Sequence, residues 1–117
     1  MTIEITQQSA DFSTAPQITM DDVAEIARIG FKTIINNRPD FEGGNDQPTS
    51  AQLQAAAEAL GLTYVFIPVI PNNIQPAQVA DYAVAYSAAA KPVLGFCRTG
   101  VRAGSIYQQA LMRSGNS

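Results

Sequence analysis

Apolar residues along the chain recur with two different periods, and each period marks a set of secondary-structure elements. Near the N-terminus, Ile3 and Ile5 alternate with polar residues, which is the period-two pattern of a half-buried strand. Other β-branched and aromatic runs are short and bounded by turn-forming residues. These patterns predict five strands, the first two forming a hairpin at a sheet edge, over residues 3–6, 12–15, 31–36, 63–69 and 93–96.

Between the strands, apolar positions repeat with the helical period and are framed by start and stop signals. Hydroxyl side chains and a proline stand where helices should start, and Gly30 and Gly61 stand where the first two should end. The sequence therefore predicts four helices, which begin after Thr19, at Thr49 or Ser50, at Pro76 and at Val101.

Alternation of strands with helices of 10 to 15 residues sets the fold class. Right-handed crossovers between such strands give a mostly parallel central sheet with helices on both faces. We therefore predict an α/β fold, and the 117 residues suit one domain spanning residues 1–117.

Composition and charge narrow the possible ligands. Hydrophobic residues make up 46% of the chain and charged residues 15%, which is typical of an ordinary globular protein. The formal net charge of −3 gives no long-range attraction for nucleic acid or for an anionic membrane. The N-terminal residues 1–6 lack the basic and apolar segments of a secretion signal, so we expect a cytoplasmic location.

Cysteine and histidine counts exclude several kinds of site. One Cys cannot form an internal disulfide, and the chain has no His. A Cys/His dyad, a Ser/His/Asp triad and a His-containing zinc site are therefore excluded, and we predict no metal and no other cofactor.

Cys97 lies where a buried strand passes into a helix N-terminus, which is where ligands collect in open α/β sheets. A helix N-terminus and a loop of backbone amides favour the thiolate over the thiol. Arg102 offers a bidentate fork to an oxyanion. The sequence therefore predicts a nucleophilic Cys97 with Arg102, in an anion-binding loop formed by Arg98, Thr99, Gly100 and Val101.

From Phe12 to about Leu111, the chain resembles the phosphatase-like domain family of beta-lactamase hydrolase-like proteins. The resemblance rests on three segments, namely Ile29–Asp40, Tyr64–Val69 and Cys97–Arg102. It implies a fold related to that of tyrosine and dual-specificity phosphatases. Some members of the family are fused to persulfide dioxygenases, which implies a connection with sulfur metabolism.

The cysteine loop departs from the phosphatase pattern of Cys, five residues and Arg. Only four residues separate Cys97 from Arg102, Phe96 stands where a His is usual, and Ala103 follows the Arg. A loop of this length resembles that of rhodanese-type sulfurtransferases, which hold a cysteine persulfide.

Ester cleavage also needs a general acid. The loop of residues 70–75, which follows the predicted strand 63–69, contains no carboxylate. Asp40 and Glu42 follow another strand end and could act as the acid, or could simply form a turn. Arg38 could be a third cation of the site or could pair with Asp40.

We therefore expect a cysteine-thiolate enzyme that transfers sulfane sulfur from a small anionic donor, such as a persulfide or thiosulfate, through a Cys97 persulfide to an external thiol acceptor. The alternatives are a phosphomonoesterase that works through a phosphocysteine and an inactive anion-binding module. We expect neither nucleic acid nor a membrane as a partner.

Overall fold

The computed structural model describes residues 3–115 as a five-stranded sheet with four helices. The strands are β1 (Thr6–Gln7), β2 (Phe12–Ala15), β3 (Thr33–Asn36), β4 (Thr63–Phe66) and β5 (Val93–Phe96). The helices are α1 (Met20–Ile29), α2 (Ser50–Ala59), α3 (Pro76–Ala88) and α4 (Val101–Gly115).

Strand order in the sheet is β1-β2-β5-β3-β4, and every pairing except that of β1 with β2 is parallel. The predicted α/β class with a mostly parallel sheet is therefore confirmed. Strand β5 lies between β2 and β3, so the residues that follow it emerge at the centre of the sheet edge. This position brings the cysteine loop between the loops that follow β2 and β3.

Local capping explains where the helices begin and end. Thr19 accepts a hydrogen bond from the Asp22 amide and the Asp22 carboxylate accepts one from the Thr19 amide, so the two residues form a capping box. Thr49 and Gln52 form the same arrangement at α2. Gly30 ends α1 with a φ of 119°, a left-handed backbone that glycine adopts readily.

Helices cover both faces of the sheet, and each face has its own apolar cluster. Helices α1 and α2 pack on one face, against residues such as Ile34 and Leu94. Helices α3 and α4 pack on the other face, against residues such as Ile35 and Val93. Adjacent residues of one strand thus point into different clusters, as the pleat requires.

Three strands differ from their predicted bounds. Strand β3 starts at Thr33 and not at residue 31, and the other two differ for physical reasons. The first strand is only Thr6–Gln7, because Ile3 and Ile5 pack against the apolar cluster under α1 and α2 instead of pairing with β2. Its antiparallel pairing with β2 agrees with the predicted hairpin, although β2 itself is an interior strand. Strand β4 ends at Phe66, and Pro68, which has no N–H to donate, interrupts the segment that follows.

Within residues 3–115, no helix combines the length and the apolar character needed to cross a membrane.

Candidate active site

Cys97 directly follows β5, and its side chain is fully buried. The backbone N–H of Gly100 donates a hydrogen bond to the Cys97 Sγ over 3.1 Å. Helix α4 begins one residue later, so its positive end also faces the loop. The sulfur is held as a hydrogen-bond acceptor, and a reagent in solvent can reach it only when the surrounding side chains move aside.

Gly100 allows the loop to turn back onto the sulfur. Its φ is 97°, a left-handed value that residues with a Cβ rarely adopt, and an added Cβ would lie 3.4 Å from the Ala15 carbonyl oxygen. The Gln17 N–H also donates to the Arg98 carbonyl over 3.2 Å. The segment after β2 therefore supports the loop from behind.

Arg102 is fixed by a carboxylate on a distant part of the chain. Its Nη1 and Nη2 atoms donate to the two carboxylate oxygens of Glu42 over 2.9 and 2.8 Å, and Nη1 also donates to the Val69 carbonyl over 2.8 Å. Among the described residues, nothing accepts a hydrogen bond from Nε. The Nε–H is therefore unpaired within that part of the chain, in a side chain that is 9% exposed.

Glu42 also accepts a hydrogen bond from Arg38, whose Nε lies 2.9 Å from its Oε1. Arg38 in turn donates to Gln17 over 3.0 Å. The hydrogen bond from Arg102, and secondarily the one from Arg38, lowers the pKa of Glu42 although partial burial opposes the shift. Glu42 is therefore ionised at neutral pH.

These side chains open onto a cleft of about 770 Å³. Three arginines face one carboxylate there, so the cleft is locally positive in a chain whose net charge is −3. The lining residues are Arg38, Glu42, Gly43, Pro71, Asn72, Arg98, Thr99, Val101 and Arg102. Such a surface favours a small anion.

The structure brings most of the predicted site residues together. Arg98, Thr99, Val101 and Arg102 line the cleft, whereas Gly100 lies against the Cys97 sulfur. Cys97 lies below this surface. The roles of Arg38 and Asp40 were left open by the sequence. Arg38 lines the cleft and pairs with Glu42, not with Asp40.

Asp40 is not one of the residues that line the cleft. Its Oδ1 accepts a hydrogen bond from the Ser50 N–H over 2.7 Å, at the first residue of α2. The expectation that Asp40 could serve the site is corrected here, because its carboxylate satisfies a helix N-terminus.

The loop after β4 supplies no acid. It contributes Pro71 and Asn72 to the cleft, and Asn72 has a left-handed backbone with a φ of 61°. Among residues 3–115, Glu42 is the one carboxylate that lines the cleft. Within residues 3–115, no group of three or more His, Cys, Asp or Glu side chains could hold a metal ion.

Sequence reasoning missed the role of Glu42 as the common partner of two arginines. It considered Glu42 only as an acid, and it gave Gln17 and Val69 no role. Glu42 lies four positions after Arg38 and 60 positions before Arg102. The four-residue spacing of Arg38 and Glu42 was a weak signal of their pairing. The 60-residue separation of Glu42 and Arg102 gave no signal in the sequence.

Comparison with known proteins gives consistent matches. A family model described as beta-lactamase hydrolase-like protein, phosphatase-like domain, matches residues 4–115. The beta-lactamase hydrolase-like proteins of Xylella fastidiosa (strain Temecula1) and Agrobacterium fabrum (strain C58) are 40% and 38% identical over 91 and 93 residues. These matches cover 78% and 80% of the chain. The chain spans about a fifth of the length of these relatives, 21% of each.

Solved structures with the same fold are described as phosphatases. A proposed phosphatase from Neisseria meningitidis has a TM-score of 0.80 and 36% identity, over 88% of this chain and 72% of that one. A proposed phosphatase from Shewanella putrefaciens has a TM-score of 0.81 over 98% of this chain and 75% of that one. Its 20% identity establishes the shared fold alone.

Proposed function

The chain belongs to the phosphatase-like domain family of beta-lactamase hydrolase-like proteins, and we propose that it is a cysteine-dependent enzyme that carries sulfane sulfur on Cys97. The observation that carries this proposal is the state of Glu42. This carboxylate is bound by both Arg102 and Arg38, and its pKa is lowered. A cleft without a protonated acid suits a leaving group that needs no proton.

In the first step, the Cys97 thiolate attacks the sulfane sulfur of a donor such as thiosulfate. A new sulfur–sulfur bond forms to Cys97 while the original one breaks, and sulfite leaves with the electron pair. The Gly100 amide stabilises the attacking thiolate, since its N–H already points at Sγ. The unpaired Nε–H of Arg102, with Arg98 nearby in the cleft, binds the oxygens of the donor.

In the second step, the thiolate of an external acceptor attacks the outer sulfur of the Cys97 persulfide. The acceptor gains that sulfur as its own persulfide, and the Cys97 thiolate is released. Cys97 is the one cysteine of the chain, so no internal thiol can resolve the persulfide. The acceptor thiol must therefore lie outside these 117 residues.

A second candidate is phosphomonoester hydrolysis, which the similarity to the proposed phosphatase from Neisseria meningitidis favours. The same cleft would bind the phosphoryl group and Cys97 would form a phosphocysteine. An alkoxide leaves poorly without a proton, so this reaction requires an acid that the cleft does not offer. We rank it second for that reason.

Intact-mass spectrometry after incubation with thiosulfate tests the proposal. We expect wild-type protein to gain about 32 Da, the mass of one sulfur atom, and to lose that gain on addition of an external thiol. Cys97→Ser is the control that must not gain it. Absence of the adduct on wild type, together with turnover of a phosphate ester by the same preparation, would reverse the ranking.

Leaving-group dependence separates the two chemistries further. We expect Asp40→Asn and Glu42→Gln to leave sulfur transfer within a few-fold of wild type, because a leaving sulfite or thiolate is stable unprotonated. A loss of roughly a hundredfold with alkyl phosphates, and a much smaller loss with aryl phosphates, would instead identify the changed carboxylate as an acid in ester hydrolysis. Asn72→Asp would then supply a second carboxylate on the cleft wall and should raise the alkyl phosphate rate.

A further inference from the structure

Another cavity, of about 300 Å³, lies between helices α3 and α4. It shares no lining residue with the arginine cleft. Ala110 lines this cavity and lies on the same helix as Arg102, about 12 Å further along the axis. The two sites are therefore separate, and a small ligand cannot reach both. The walls of the cavity include Ala83, Tyr86, Lys91, Tyr107, Ala110 and Leu111.

Two tyrosine rings form the aromatic wall of the cavity, and neighbouring groups hold them in place. The rings of Tyr86 and Tyr107 meet edge to face, with centroids 5.3 Å apart and planes at 71°. Phe12 stacks on Tyr107 with centroids 3.9 Å apart, and the Tyr107 hydroxyl donates to Ser9 Oγ over 2.9 Å. The wall is therefore formed before a ligand arrives, which lowers the entropy cost of binding.

Lys91 is the one charged residue among those that line the cavity. Its Nζ donates to the carbonyls of Tyr86 and Ala89, the latter over 2.8 Å, and lies 4.4 Å from the centre of the Tyr86 ring. An ammonium has three N–H groups, so one remains. Within residues 3–115 every ion pair uses Glu25 or Glu42, so no carboxylate there pairs with Lys91. In that part of the chain, its charge meets only the partial negative charge of the α3 carboxyl end.

These features specify the charge and the size of a ligand. One partly buried cation with a single remaining N–H matches one negative charge, whereas a dianion needs further donors. The tyrosine rings and the apolar side chains beside them match an aromatic body. A volume of about 300 Å³ is at the lower end of the range for ligand sites, so the cavity suits a molecule with one ring.

We propose that the cavity between α3 and α4 is a binding site for a small aromatic monocarboxylate. The carboxylate accepts the remaining N–H of Lys91, and the ring packs against Tyr86 and Tyr107. Leu111 is 42% exposed, so the site opens to solvent at this side chain. The site uses none of the residues assigned to sulfur transfer, so this proposal and the proposed function can fail independently.

Titration of the intact chain with benzoate and with benzamide, followed by backbone amide NMR shifts, tests the proposal. The two compounds have nearly the same shape and differ in charge. Benzoate should shift the amides of Lys91, Tyr107 and Leu111, and it should bind about tenfold more tightly than benzamide because it forms a charge-assisted hydrogen bond. Equal affinities for the two compounds, or benzoate shifts confined to Gly100 and Val101 of the cleft, would overturn the proposal.

A charge variant and a matched control locate the carboxylate. Lys91→Gln keeps a donor for the α3 carbonyls and removes the charge, so it should lower the affinity for benzoate about tenfold and hardly change that for benzamide. Arg28→Gln removes the same charge from the exposed surface of α1 and should leave both affinities unchanged. Wild-type affinity for benzoate in Lys91→Gln, or an equal loss in both variants, would contradict the role given to Lys91.

Filling the cavity tests the position of the ring. Ala83→Leu places a larger side chain in the wall contributed by α3 and should weaken both compounds by about tenfold or more. Ala77→Leu makes the same change at an exposed position of α3 and should have no effect. Far-UV circular dichroism checks that both variants fold, and if Ala83→Leu does not, the comparison of Lys91→Gln with Arg28→Gln decides. Wild-type affinities in folded Ala83→Leu would show that the ring binds elsewhere.

Discussion

Glu42 is the single side chain that decides how two arginines of the cleft are presented. It accepts two hydrogen bonds from Arg102 and one from Arg38, which holds the two guanidinium groups together despite their like charges. Its own charge reduces the positive potential that a ligand meets. Glu42 thus fixes the orientation of Arg102, and its negative charge weakens the attraction of the cleft for anions.

Replacement of Glu42 by Gln should destabilise the protein in a pH-dependent way. The pKa of Glu42 is lower in the folded state than in the unfolded state, so its contribution is complete above a pH of about 4.5 and is lost as the pH falls through the folded-state pKa. Its side chain is 20% exposed, so we discount for solvent screening and expect a loss of about 1 kcal/mol at pH 7. Urea denaturation at pH 7 and pH 3 measures it.

Glu25→Gln provides the matched control, because Glu25 pairs with Arg28 on the exposed surface of α1. Surface ion pairs contribute little, so this variant should unfold at nearly the wild-type urea concentration at both pH values. A Glu42→Gln variant that behaves like Glu25→Gln, or whose loss is unchanged at pH 3, would contradict the role assigned to Glu42.

At the scale of elements, the segment between β3 and α2 is held by side chains that bond to its own backbone. Gln47 accepts the Gly43 N–H over 2.7 Å and donates to the Pro39 carbonyl over 2.9 Å. Asp40, near the β3 end of the segment, accepts a hydrogen bond from the Ser50 N–H at the start of α2. A stretch that the sequence predicts only as an exposed loop is therefore ordered enough to position Glu42.

Gly43→Ala should disturb this element through space alone. The φ of Gly43 is not in the left-handed region, but an added Cβ would lie 2.7 Å from Arg38 Nη2 and 3.3 Å from Gln47 Oε1. The end of the Arg38 side chain would have to shift, which strains its hydrogen bonds to Glu42 and Gln17. We expect a loss of about 1–2 kcal/mol in the free energy of unfolding and several-fold weaker binding of thiosulfate.

Gly104→Ala is the control for this change. Gly104 lies within α4, and the nearest atom to its added Cβ would be Thr14 Cγ2 at 3.9 Å. Alanine is the better helix former, so this variant should gain about 0.5–1 kcal/mol in stability. Urea denaturation and titration of both variants with thiosulfate give the comparison. Gly43→Ala with wild-type stability and affinity would show that Arg38 can move freely.

Elements were predictable from the sequence where their signals are local. Thr19, Thr49 and Pro76 act through bonds or backbone angles within a few residues, and helices α1, α2 and α3 start where these residues predict. Gly30 ends α1 in the same local way. The first strand was displaced because alternation at Ile3 and Ile5 reports burial without saying what buries it. Pro68 signals a broken ladder only once the neighbouring strand is known.

On the scale of the whole molecule, two buried tyrosines test how completely the cores satisfy their polar atoms. The Tyr64 hydroxyl lies in the α1 and α2 core, bonded to Asn36 over 2.9 Å and to Ser50 over 3.0 Å. The Tyr82 hydroxyl lies in the other core, and no described residue bonds to it. Burial raises the pKa of both groups.

Substitution of each tyrosine by phenylalanine should therefore have opposite effects. Tyr82→Phe removes an unpaired buried hydroxyl and should keep or raise stability, by up to about 1 kcal/mol. Tyr64→Phe leaves Asn36 without its partner and should lose about 1–2 kcal/mol. Urea denaturation at neutral pH compares the two variants. Equal destabilisation by both would mean that the Tyr82 hydroxyl has a bonding partner.

Alkaline pH gives the pair a second readout. Above a pH of about 10, tyrosines ionise in the unfolded chain while Tyr64 and Tyr82 stay neutral in the folded one, so stability falls as pH rises. Tyr82→Phe should make this fall shallower.

The family resemblance carried by the cysteine loop is confirmed by the family match, and the loop residues were predictable because they are contiguous in sequence. The surroundings of the loop were not. Arg102 meets Glu42 and Val69 from 60 and 33 positions away, and Cys97 is fully buried only in the folded chain. Such contacts exist only in the folded chain and leave no periodic signal.

Separation along the chain also sets the time at which the Cys97 thiol becomes buried. Glu42 and Arg102 are 60 positions apart, and β5 inserts between two strands made much earlier. Contacts this distant form late in folding, and a chain under synthesis completes its N-terminal part first. Until β5 is in place, the Cys97 side chain is not yet buried and has no hydrogen bond from the Gly100 amide. A newly made chain therefore passes through a period in which its single thiol is open to oxidants, and folding ends that period by burying the sulfur.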